Sequence, residues 1–314
     1  MGTTAYQFDF TSAGALPENI KFGTSSWNYP GWQGIVYQQP YKDEKALRKD
    51  ALSEYVRFPW FRTVGIDSSF YAPPAVSTLS RYKQQVPADF RWAAKVWERI
   101  SVPQFGTHPR YGALAGKENP DFLSPKLFNE QFLHPFRESQ TTAHCEVFIL
   151  QFQAFPQKTV EQPEWFYAAL EKFFSGIPQD FRFATELRNR ELISHDYLSI
   201  LNKHRHTHCF NHWDAMPPLI EQMKLIAACG GINHPLYVAR LLTPLGMRYQ
   251  QAVKKFSPYN RLVAANPRMR ADTVRLAKRA VERGAQAYIL VNNRSEGNAP
   301  ITINEIGKSI VAEL

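Results

Sequence analysis

The chain has 314 residues, 44% of them hydrophobic, which is enough for one sizeable core. That excludes a disordered or fibrous protein, and the length suits one barrel of roughly 250 residues with insertions. A net charge of +9 admits anionic partners. However, Lys and Arg run along the whole chain, so scattered solubilising charge explains it as readily as a binding face does.

The three cysteines, Cys145, Cys209 and Cys229, have neither metal-ligand spacing nor the pattern of a disulfide framework. No apolar run is long enough for a membrane span. The N-terminus lacks the basic and apolar regions of a signal peptide, and Tyr6 breaks the myristoylation pattern. These features predict a cytoplasmic protein without membrane contact.

Residues 1–19 read as an N-terminal arm whose Tyr6, Phe8, Phe10 and Leu16 need something to pack on. From residue 20 to 314 the pattern is that of one barrel domain. Eight short apolar runs, at 20–27, 61–71, 90–97, 146–152, 181–188, 206–212, 235–242 and 287–293, each end in polar residues. Helical spacing separates them. Leu47, Ala51, Tyr55 and Phe58 mark the first helical stretch, and further helices are predicted at 76–86, 124–139, 163–177, 195–204, 217–229, 272–283 and 302–313. Pro163 suits a first turn, Asp272 an N-cap and Gly284 a C-terminal stop. The stretch 100–121, rich in Pro, Gly, His and Asn, is an insertion after the third run. Strand and helix alternating eight times predict an α/β fold, a TIM-like (β/α)8 barrel of parallel strands with outer helices. Such barrels carry their sites at the carboxyl ends of the strands.

Strand side chains alternate between faces, and the face toward the helices must be apolar. With Val64 and Ile66 facing the helices, Gly65 and Asp67 point inward. The same parity sends Lys95, Gln151, Glu186, Arg188 and Arg240 inward, and one of Asn292 and Asn293 with them. Isolated buried charges are costly, so these groups must pair, or meet water or a ligand.

Each group has two readings. Glu186 and Asp67 suit acid–base work, or each neutralises a nearby Arg or Lys. Lys95 suits imine chemistry, or an ion pair with Glu186. Arg188 and Arg240 suit an anion clamp, or an internal salt bridge. His206, His208, His212 and Asp214 cluster at the sixth run, but His206 and His208 lie near its start, away from the predicted mouth, so no metal is expected. There is no Walker or dinucleotide-binding motif, and no tightly bound cofactor is expected.

At these residues the chain resembles the YecE-like family, known as domain of unknown function 72. The resemblance spans about residues 20–305. It is carried by GTSSW-N-YPGW (23–32), IDSSFY (66–71), FRWAAKVWERI (90–100), ILQF (149–152), ELR (186–188), R-L (240–241) and VNNRSEGNAP with Asn304 (291–304). The family resemblance implies a barrel and no established activity. It supports Ser25, Trp27, Tyr71, Lys95, Glu186, Arg188, Arg240, Asn292 and Asn293 as pocket residues. The chain departs from the family at Gly65, where Glu is usual, at Asp67, where Asn is usual, and at Leu242 and Arg294, where His is usual. Asp67 would then partly substitute for the missing Glu, two residues (roughly 7 Å) nearer the mouth.

The leading expectation is a cofactor-independent enzyme, of hydrolase or lyase type, acting on a small polar or anionic substrate that bears phosphate or carboxylate. Glu186 and Asp67 would move protons, with Lys95 beside them. Arg188, Arg240 and Lys95 would hold negative charge, and Ser25, Gln151, Asn292 and Asn293 would orient the ligand. Trp27 and Tyr71 would line the mouth. A nucleic-acid-binding barrel and a non-catalytic ligand sensor are the alternatives.

Overall fold

The computed structural model describes residues 6–314. The part of the arm in residues 1–5 lies outside the described residues. Eight strands form one parallel sheet in the order β1-β8-β7-β6-β5-β4-β3-β2. They are β1 Ile20–Thr24, β2 Gly65–Ile66, β3 Trp92–Lys95, β4 Cys145–Gln151, β5 Phe183–Glu186, β6 Thr207–His212, β7 Leu236–Leu241 and β8 Gln286–Val291. Every apolar run became a strand, because a fully covered parallel strand must be apolar on both faces.

The seam between β1 and β2 closes without a regular ladder. The Phe22 carbonyl accepts hydrogen bonds from the Arg62 and Thr63 amides at 2.8 and 3.2 Å. Glycine permits this approach. A Cβ on Gly23 would stand 2.1 Å from the Thr63 carbonyl oxygen, and one on Gly65 would stand 3.0 Å from that of Ser25. The result is a nearly closed TIM-like (β/α)8 barrel.

Side-chain parity separates two apolar regions. Phe22, Ala94, Phe148, Leu150, Phe183 and Leu241 face the helices and join the large outer core. Val147, Ile149, Cys209, Val238, Tyr288 and Leu290 fill the barrel interior. These side chains form an apolar plug, with the charged cluster of the strand ends above it.

The predicted helices are present, with altered ends. Glu164–Ser175 buries Phe166, Leu170, Phe173 and Phe174, while Pro163 takes the N-cap position just before it. The helix expected at 272–283 begins earlier, at Pro267. Asn266 caps it by accepting from the Met269 amide at 3.0 Å, so Asp272 is not the cap. Asn followed by Pro is the stronger start signal, because Pro at the first helical position lacks only an amide that needs no helical partner. Asp272 is buried within the helix and pairs with Arg275. The stretch 124–139 is broken by a π turn at Phe128–Phe132. Four helices lay outside the pattern: Tyr249–Phe256 and the short Glu98–Ser101, Gln157–Glu161 and Phe10–Ala15. The last of these packs on the C-terminal helix Ala299–Glu313. The carbonyls of Ala13, Leu16 and Pro17 accept from Arg62, which ties this segment to the approach to β2. No helix among the described residues is long and apolar enough to cross a membrane.

Candidate functional site

The strand ends bring Asp67, Lys95, Gln151, Glu186, Arg188 and Arg240 together above the apolar plug. Register explains the convergence. Gln151 lies beside Glu186 in the β4–β5 pair, and Asn211 beside Arg240 in the β6–β7 pair. One step beyond the Ile66–Ala94 pairing of β2 with β3 come Asp67 and Lys95.

Glu186 is fully buried at the centre. Its carboxylate pairs with Arg188 and accepts from Arg240 Nη1 at 2.7 Å. Burial would raise this carboxyl, but Arg188, Arg240 and Lys95 overcome it and hold the pKa at about 2. Arg240 Nη2 donates to Asp67 at 2.6 Å. Burial works against the Arg240 charge, yet Asp67 and Glu186 keep it firmly protonated. Arg188 loses more to burial than Glu186 returns, and falls to about 10. Its guanidinium stacks 4.1 Å over the Trp213 ring. Gln151 Oε1 accepts weakly from Arg240 at 3.3 Å and from Arg188 at 3.5 Å.

Lys95 differs from what the sequence suggests. It forms no ion pair with Glu186, because the two arginines already occupy that carboxylate. Among the described residues no carboxylate lies within ion-pair distance of its Nζ, which instead sits 3.7 Å over the Phe70 ring. Burial brings its pKa down to about 7, with Asp67 opposing and Arg240 adding to the fall. Ser69 Oγ lies 2.6 Å from the carbonyl oxygens of both Lys95 and Ile66, and its single proton bridges the two.

Ser25 is buried at the β1 end with its Oγ unpartnered. Trp27 is packed edge-on to Tyr82 and donates to the Arg48 carbonyl at 3.3 Å, so it faces the helices more than the barrel axis. Tyr71 is 60% exposed, with Arg110 stacked 5.1 Å over its ring. Trp27, Asp67 and Tyr71 line a cleft of about 310 Å³ beside the mouth.

Asn292 and Asn293 part company. Asn292 continues the inward parity of Tyr288 and Leu290, and its Oδ1 accepts from the Arg294 amide at 3.0 Å. Asn293 faces away from the interior. Its Oδ1 accepts from Trp32 Nε1 and the Ala299 amide at 3.1 and 2.8 Å, which braces the start of the last helix. The Asn293 carbonyl oxygen thus braces the last helix, while its Nδ2 is buried without a partner.

The histidines of β6, and His206 just before it, face outward. His206 packs against Phe174 and Phe183, His208 is hydrogen-bonded to Tyr197, and His212 to the Thr243 carbonyl. Among the described residues no group of three or more His, Cys, Asp or Glu is placed to hold a metal ion. Sequence reasoning passed over Phe70, Cys209 and Asn211. Cys209 Sγ lies 4.0 Å from Glu186 within the plug, where burial raises its pKa. Its inward parity was readable in the sequence, but the identity of its neighbour was not.

A nearly closed parallel barrel with a charged cluster at its carboxyl end defines the class of molecule. The particular family follows from direct comparison: the chain belongs to the family described as protein of unknown function DUF72, whose model matches residues 21–313. A DUF72 protein from Enterococcus faecalis superposes with a TM-score of 0.60 at 15% identity, covering 93% of this chain and 95% of its own. One from Thermotoga maritima gives 0.57 at 17% identity, covering 93% and 98%. These structures share the fold. No curated protein matches the chain.

Proposed function

We propose that the barrel mouth is the site of a cofactor-independent enzyme acting on a small anionic substrate. One observation carries the reading: several buried polar atoms at this end have no partner. They are Ser25 Oγ, Arg188 Nη1, Arg240 Nε and Asn211 Oδ1. Buried polar groups nearly always find a partner; others are scattered elsewhere, but these four sit on side chains that converge at one strand-end face and leave room there for a ligand. Two carboxylates and two guanidiniums balance, and Lys95 adds one surplus positive charge in its protonated form. A carboxylate or phosphate fits that surplus.

The roles divide by burial. Glu186, held ionised between two arginines, orients them rather than moving protons. Asp67 is 28% exposed at its side chain and is the carboxylate a substrate reaches first. Proton transfer is assigned to Asp67, and charge recognition to Arg188 and Lys95.

A thermal-shift screen with sugar phosphates, nucleotides and organic acids tests this. Binding at one hundred times Kd stabilises by about 2.7 kcal/mol, a readily measured shift. Anionic compounds should stabilise the protein, Arg188→Ala should abolish the effect, and Lys126→Ala on the exposed surface should leave it intact. Indifference to every anion, or equal loss in both variants, would overturn the reading.

A further inference from the structure

Lys95 has an environment that charge recognition alone does not require. An amine serving only as a positive charge is usually given a carboxylate or water, and an aromatic face offsets only part of their loss. Here both nearby carboxylates are taken by arginines. The Nζ rests on the Phe70 ring, and the residue keeps only 8% of its surface exposed. The Ser69 hydrogen bonds hold that ring and the end of β3 together. The amine is thus held in one place, poorly hydrated and without a counter-ion.

Resting on the anionic-substrate reading above, we propose that Lys95 is a nucleophile that forms an imine with a small oxo acid or phosphorylated aldehyde. The Nζ lone pair attacks the carbonyl carbon, and the carbon–oxygen π pair moves onto oxygen. One proton passes from nitrogen to that oxygen, giving a carbinolamine. The carbon–oxygen bond then breaks, the second nitrogen proton is lost, and oxygen leaves as water with a proton returned to it. No oxidant or reductant is consumed. Arg188 holds the substrate's anionic group, and Asp67 carries the protons.

Two further features fit this chemistry. A pKa near 7 gives a large fraction of free amine at neutral pH. The guanidiniums beside the amine oppose its protonation and attract the substrate's anion, so one arrangement serves both needs.

The experiment uses the whole chain with pyruvate and with glycolaldehyde phosphate, each with cyanoborohydride to reduce any imine. Mass spectrometry should find one adduct per chain, mapped to Lys95 and absent in Lys95→Arg, which retains the charge. Labelling should rise with pH through about 7 and then level off. An ordinary surface lysine keeps rising to about 10. Adducts spread over surface lysines overturn the proposal. An Arg188-dependent thermal shift with these probes, without an adduct, overturns it while leaving the anion site standing. Neither shift nor adduct removes both.

Discussion

Arg240 donates an Nη2 hydrogen bond to Asp67 at 2.6 Å, joining two strand ends that lie 173 positions apart in the chain. Its Nη1 simultaneously reaches Glu186. One guanidinium thus spans carboxylates from β2 and β5.

Removing Arg240 should cost more than removing Asp67. Arg240→Met leaves Glu186 fully buried with only Arg188 beside it, and breaking a buried pair costs about 3–5 kcal/mol. Asp67→Asn keeps an acceptor for Arg240 in a partly wet position and should cost well under half of that. Urea denaturation of the two variants checks the order.

Lys95→Met should stabilise the protein at neutral pH. The folded-state pKa lies below the unfolded value of about 10.4, so the unfolded chain binds the proton first as pH falls. Stability is lost between there and about 7 and stays lost below. The gain in the variant should vanish above pH 10.5. A lower melting temperature for Lys95→Met at pH 7 would contradict this account.

Acid should weaken the fold in two stages. Burial lowers His206 to about 3 and His208 to about 4, so stability falls once pH drops below the ordinary histidine value of about 6.5. Glu186, whose pKa is also depressed, contributes fully above the ordinary carboxyl value of about 4.3 and loses that contribution as pH falls toward 2. His206→Leu removes a ring with both nitrogens unpartnered and should shift acid unfolding to lower pH. Circular dichroism against pH reads the midpoint.

The β1–β2 seam should not tolerate side chains. Gly23→Ala drives a Cβ into backbone at Thr63, and overpacking costs about 1–3 kcal/mol. Gly65→Glu puts a Cβ 3.0 Å from the Ser25 carbonyl oxygen, tighter than ordinary contact. It should therefore destabilise this chain, even alongside Asp67→Asn. Calorimetry of the three variants is sufficient.

Trp213→Ala should weaken anion-induced stabilisation without unfolding the protein. The indole holds the Arg188 plane, a contact worth about 0.5–2 kcal/mol. An unchanged anion response would separate Arg188 from ligand recognition.

Strand positions, barrel topology and inward parity were legible in the sequence. They follow from local rules: an apolar face must be covered, and side chains alternate every residue. Those rules put Asp67, Lys95, Glu186, Arg188 and Arg240 at one end of the barrel before any coordinate was known. The sequence could not choose partners among them. That choice depended on both guanidiniums, Arg188 and Arg240, reaching Glu186, and on a Ser69-bound turn that sets Phe70 against Lys95. It likewise offered both Asn292 and Asn293, and only the end of β8 turned one inward and the other toward Trp32. Periodicity is a one-dimensional property that the chain carries in itself. Pairing depends on distances between remote segments, and these exist only once the barrel has closed.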